Sequence, residues 1–222
     1  MDLGEAIARV PDSLFRRPDS YVRPPLVADP DAALAQTLQL LDITRRRSYF
    51  SIGTGYERQP LVAALLGLDV IIADLDSRAL AWQRQVAEQL GVRPTFIGGD
   101  ILEPSQGLEP YEGRMGIVAC LNSTHKEDFI DGVPSLMLSL VSNGGVIYAN
   151  ATGPFPVAYD KLVQGVFAAA VREHARVSVL ATDVFTTAAF GNDAKILAVG
   201  KPEVVPTPPP TRMQKSVLVP SR

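Results

Sequence analysis

The sequence predicts an α/β protein with a doubly wound, mostly parallel seven-stranded sheet, helices on both faces and an antiparallel final strand. Three observations point there. Short apolar runs alternate with helix-length runs along most of the chain, the pattern of parallel strands joined by helical crossovers. The run "GIVACLN" is nearly all apolar, as a strand covered on both faces should be. Near the end, "RVSVLATDVF" and "AKILAVGK", with "GND" between them, read as an antiparallel pair.

The elements follow in order. Pro11, Pro18, Pro24, Pro25 and Pro30 forbid long regular elements in the first thirty residues, leaving an arm with a short helix before Pro11. "ADPDAALAQTLQLLDI" reads as a helix capped by Asp29 or Asp31, with Pro30 in its first turn and Leu34, Leu38 and Leu41 at helical spacing. Then come the strand "SYFSIG", a helix ending at Gly67, the strand "DVIIAD", a helix ending at Gly91 and the strand "PTFIGGD". After "GIVACLN", "KEDFIDGVPSLMLSLV" is helical despite Pro134, "GGVIYANA" is a strand, and "YDKLVQGVFAAAVREHA" is a helix with Leu162, Val166 and Phe167 in one stripe. The "PTPPP" tail reads as extended or disordered. The domain division is an arm at 1–44, a core at 45–201 and a tail at 202–222, and no internal repeat is visible.

Bulk composition narrows the function classes. The 222 residues are 46% hydrophobic and 20% charged, the balance of a globular domain with a full core. A net charge of −3, with Arg45–Arg47 as the largest basic cluster, shows no nucleic-acid footprint. Three arginines after a helix read as a solvated helix end. Cys120 is the only cysteine, so neither a disulfide framework nor a cysteine metal cluster is expected, and its apolar setting marks a buried small hydrophobe. No signal-peptide or membrane-spanning run is visible, so a cytoplasmic location is expected, without a membrane partner. His125 and His174 stand far apart, and no metal-ligand spacing occurs; His174 reads as exposed.

The chemistry gathers at "SIGTGYERQP". Gly53 and Gly55 let the chain bend tightly and bring backbone close to a ligand, before a helix N-terminus with unpaired N–H groups. Asp74 ends the next strand, where a carboxylate can accept both hydroxyl hydrogens of a ribose, and Leu75 offers an apolar edge for a base. A dinucleotide site wants a third glycine where Arg58 stands, which places an NAD enzyme last. Asp76 reads as the cap of the following helix. Tyr56 either lines the pocket or covers the turn.

"YFSIGTG", "DVIIADLDSRALAWQRQVAEQLG", "FIGGDIL", "GIVACLNS" and "SLMLSLVSNGGVIYA", in that order, resemble the successive motifs of the class I (Rossmann-like) methyltransferases that use S-adenosylmethionine (SAM). The resemblance covers roughly residues 45–201. It implies SAM as cosubstrate, Gly53, Thr54 and Gly55 at its methionine end, Asp74 and Leu75 at its ribose and adenine, Asp100 near the adenine amino group, Ile101 against the ring, and Leu121 as a further cofactor-binding residue. This chain departs from the pattern at Ser51, where an acid is frequent, at Glu57, where a glycine is frequent, at Gly116 and at Asn143. Glu57 can supply the missing carboxylate from the other side of the turn.

The loop "CLNSTHKED" follows the fourth strand, whose carboxyl end faces the ligand crevice in an open parallel sheet. Asn122 can orient a nucleophile and His125 can take a proton from an O–H or N–H acceptor. The competing reading makes Ser123 or Thr124 a helix cap with Glu127 completing a capping box. The acceptor is a small molecule or a peptide, with the arm as part of a lid shaped by Phe15, Tyr21 and Arg23. A fainter likeness links the N-terminal half to the protein-L-isoaspartate O-methyltransferases, although "ADP" at 28–30 lacks their hydroxyl. Two alternatives remain open: a nicotianamine-synthase-like enzyme transferring the aminobutanoyl group of SAM, and a degenerate binding module.

Overall fold

The structure, a computed structural model, describes residues 1–11, 38, 42, 45–121, 127–150, 156–181, 186–187, 192–193 and 195–200. Five strands run in parallel: β1 (Ser48–Ile52), β2 (Asp69–Asp74), β3 (Thr95–Gly98), β4 (Met115–Leu121) and β5 (Val141–Asn150). Two more complete the main sheet, β6 (Arg176–Ala181) and β9 (Lys195–Gly200), and β9 pairs antiparallel with both β5 and β6. The spatial order is β3-β2-β1-β4-β5-β9-β6. The expected mostly parallel seven-stranded sheet with an antiparallel final strand is present, as a five-stranded parallel ladder continued by the antiparallel pair β6 and β9. The short strands β7 (Thr186–Thr187) and β8 (Asn192–Asp193) form a separate hairpin.

Five α-helices are described with their bounds: α1 (Leu3–Arg9), α2 (Gln59–Leu65), α3 (Ser77–Leu90), α4 (Glu127–Leu140) and α5 (Pro156–Arg172). Alternate strand residues point to opposite faces, and the packing follows. Tyr49, Val70, Ile72, Ile117 and Tyr148 pack with Ala6 and Ile7 of α1, Leu61 and Val62 of α2, and Leu80 and Val86 of α3. Phe50, Ile52, Ile71, Val118, Cys120 and Ile147 pack with Val133 and Met137 of α4 and with Leu162 and Val166 of α5. The central strands are buried on both sides, as their unbroken apolar runs require. Cys120 is one of these buried residues.

Helix ends obey local chemistry. The Asp76 carboxylate caps α3 by accepting from the Arg78 N–H, and Gly91 closes that helix in the left-handed conformation at φ 71°. Asp2 caps α1 by accepting from the Glu5 N–H. Past the end of α5, the left-handed position falls to His174, at φ 54°, an exposed residue. Helix α5 starts at Pro156, three residues before the expected start at Tyr159, since proline suits a first turn. Strand β5 starts at Val141 instead of Gly144, because the pairing slips from Met115–Val141 to Ile117–Val146, a bulge permitted by Gly144 at φ 74°. No described helix is long and apolar enough to cross a membrane.

Candidate functional site

The carboxyl ends of β1 and β2 meet at the glycine turn. The ladder continues one residue past β1, with the Gly53 N–H donating to the Ala73 carbonyl at 2.8 Å. The backbone then enters left-handed geometry at Gly53 (φ 61°) and again at Gly55 (φ 53°), a region most side chains avoid. Inside the bend the Thr54 hydroxyl donates to the Ser51 hydroxyl at 2.6 Å, both residues being buried. Ser51, which stands where an acid is frequent, therefore forms part of the scaffold of the bend. A Cβ placed on Gly55 would meet no atom within 4 Å. The outside of the turn is open space.

Asp74 faces this turn. Its Oδ2 accepts from the Gly55 N–H at 2.5 Å and its Oδ1 from the Asp76 N–H at 2.8 Å. The residue is 9% exposed. Burial pushes its carboxyl above the ordinary carboxylate range, against the opposing pull of the N–H bonds from Gly55, Asp76 and Leu75. Two residues on, Asp76 moves the other way, chiefly through its side-chain bonds with Arg78. Leu75 is 62% exposed at this strand end, an apolar surface beside a carboxylate.

The neighbouring strand end differs. Asp100 follows β3 and is exposed, with its Oδ1 accepting from the Leu102 N–H at 3.0 Å, while Ile101 is buried. Leu121 closes β4 opposite Asn150 of β5. Asn122, Ser123, Thr124 and His125 lie outside the described residues, as do Phe15, Tyr21 and Arg23. Glu57 is buried. The Tyr49 hydroxyl is pushed far above the phenol range by burial first, then by Tyr148 and Glu57. Tyr56 is buried, its ring centroid 5.4 Å from that of Trp82.

Two residues of this site carry more than their sequence positions suggested. Arg58 marks the missing third glycine of a dinucleotide motif, yet it is buried and donates from Nη1 to the Val10 carbonyl at 3.0 Å, tying the end of α1 to the base of the turn. Gln83 of α3 is fully buried, and its Nε2 donates to the carbonyls of Gly55 (3.1 Å) and Glu57 (2.8 Å). A signal for Gln83 existed: it sits between Leu80 and Val86 on the core-facing stripe of α3, where a polar residue needs a buried partner.

No family model and no curated protein matches the chain by sequence. Solved structures do match. The O-methyltransferase from Bacillus cereus in complex with SAH is similar at TM-score 0.57 and 18% identity, over 90% of this chain and 92% of that one. The O-methyltransferase TomG from Streptomyces achromogenes, involved in tomaymycin synthesis and complexed with SAM, gives TM-score 0.56 and 16% identity over 91% of each chain. A mutein of the branched-chain polyamine synthase from Thermus thermophilus, in complex with N4-aminopropylspermidine and 5′-methylthioadenosine, gives TM-score 0.63 and 14% identity over 89% of this chain and 64% of that one. The chain shares its fold with these O-methyltransferases.

Proposed function

We propose that the protein is a SAM-dependent methyltransferase acting on a small molecule or a peptide. One observation carries the reading: a buried Asp74 carboxylate at the end of β2 faces a left-handed glycine turn with open space outside it and exposed Leu75 alongside. A carboxylate, an apolar surface and a close-approach backbone are the three features an adenosine with an amino-acid tail requires. In this reading Asp74 holds the ribose hydroxyls, Leu75 and Ile101 flank the adenine with Leu121, and Asp100 meets its amino group. Gly53, Thr54 and Gly55 border the methionine end, with Glu57 as the acid nearest the turn.

SAM supplies an already activated methyl group, so the protein has mainly to bind, align and exclude water. The acceptor atom attacks the methyl carbon as the carbon–sulfur bond breaks, and the sulfur keeps the bonding pair. An acceptor proton, where there is one, passes to a base, the role assigned to His125, with Asn122 orienting the acceptor. We further propose that the N-terminal arm, residues 1–44, forms part of a lid over the acceptor. Replacing Phe15 and Tyr21 by alanine should lower transfer while sparing SAM affinity, and equal loss of both would remove the lid.

Calorimetry with SAM and SAH, then mass spectrometry of candidate acceptors incubated with SAM, tests the function. Binding of neither compound would overturn it and favour a binding module. A second reading, transfer of the aminobutanoyl group of SAM, is favoured by the likeness to the polyamine synthase solved with 5′-methylthioadenosine. The sulfur product separates them: SAH marks methyl transfer, methylthioadenosine the alternative.

A further inference from the structure

We infer that Gln83 is a positioning residue that holds the glycine turn in its ligand-binding shape; the inference rests on the SAM reading above. The turn's outward N–H and inward C=O groups have separate partners. The Asp74 carboxylate takes the Gly55 N–H, whereas the Gln83 carboxamide, from the neighbouring helix, donates to the Gly55 and Glu57 carbonyls. A single buried NH2 group bridges the carbonyls of the two residues that flank Tyr56. Both donors of that group are used, and the side chain has no solvent-exposed surface.

The arrangement fixes the orientation of two peptide planes at once. Each carbonyl turned inward sends its bend's remaining surface outward, toward the open space at Gly55. Residues with a left-handed φ rotate readily once such bonds are lost, and a buried carbonyl without a donor is costly. Gln83 also links the turn to α3, whose cap Asp76 follows Asp74 by two residues. The carboxylate and the turn it faces therefore move as one body.

Two variants test this by calorimetric SAH titration alongside thermal unfolding. In Gln83→Leu, which keeps the volume and removes the donors, SAH affinity should fall roughly tenfold or more, the equivalent of one buried carbonyl left unbonded. A merely structural glutamine would lower the unfolding temperature and leave the affinity of the folded fraction unchanged. Gln83→Glu gives the second readout, since its protonated form donates one hydrogen bond and its ionised form none. Its SAH affinity should fall as pH rises, with no matching change in the wild type. Wild-type binding with Gln83→Leu within about twofold of it, or a Gln83→Glu affinity that tracks the wild type across pH, overturns the positioning role. Failure of the wild type itself to bind SAH overturns the cofactor reading, and the positioning role with it.

Discussion

Two glycines, one at the β1–α2 turn and one inside α5, show how the two halves of the sheet use missing side chains. At Gly55 an added Cβ would meet nothing within 4 Å, whereas at Gly165 it would lie 2.6 Å from the Pro134 Cγ of α4. In the first half, polar side chains hold backbone around a space that is kept open. In the second, the absent side chain lets two helices close onto each other. The same residue type borders open space in one place and permits close packing in the other. The Gly55 turn is held on one side by Asp74 and on the other by Gln83.

The comparison implies that damage in the two regions should separate. The largest effect is expected for Asp74→Ala, which removes the acceptor of two backbone N–H groups and the proposed ribose contact. SAM affinity should drop roughly a hundredfold, the scale of one or two charge-assisted hydrogen bonds, as read by calorimetry. Next, Gly165→Ala should cost about 2 kcal/mol by forcing α5 away from Pro134, measured by urea unfolding, with SAM affinity unchanged. A variant of Gly165 that lost binding but not stability would break the comparison. Asp76→Ala should cost about 1 kcal/mol as a lost helix cap, and SAM affinity should stay within about twofold if Asp76 is a cap and no ligand contact.

The smallest effect is a pH dependence with two signs. Folded Asp74 keeps its proton to higher pH than the unfolded chain does, because burial raises its pKa. Its contribution to stability therefore declines as pH rises from the ordinary carboxylate range through the raised value, and is flat above it. Asp76, lowered chiefly by its bonds to Arg78, contributes stability that is present above the ordinary range and lost as pH falls through the lowered value. Urea midpoints across roughly pH 3 to 7 should show Asp74→Asn removing the first trend and Asp76→Asn the second. An Asp74→Asn profile parallel to the wild type would show that the turn does not desolvate that carboxylate.

Much of this fold is legible in the sequence because its signals are local. The apolar run at 115–121, the Gly67 and Gly91 stops and the Asp76 cap depend on neighbours a few residues away. The strand–turn–strand logic that pairs Gly53 with Asp74 was legible too, since a parallel crossover brings the two strand ends side by side. What escaped depends on distant partners. The slip between Met115–Val141 and Ile117–Val146 is a property of two strands, visible in neither. Arg58 looked like a failed glycine because its acceptor, the Val10 carbonyl, lies 48 residues earlier. Gln83 looked like one polar residue on an amphipathic helix, and its two acceptors are carbonyls, which every sequence position has. Asp100 matched the motif in sequence, and its carboxylate accepts from the Leu102 N–H.

The antiparallel strand β9 lies between β5 and β6 although it follows β6 in the chain. On a ribosome, β6 emerges with no neighbour waiting for it, and the border of β5 stays bare until Lys195–Gly200 arrives. Nascent or prematurely stopped chains thus carry raw strand borders, the usual starting point for clumping. Expression trials that stop short of Gly200 should be expected to yield insoluble material rather than a trimmed, folded protein.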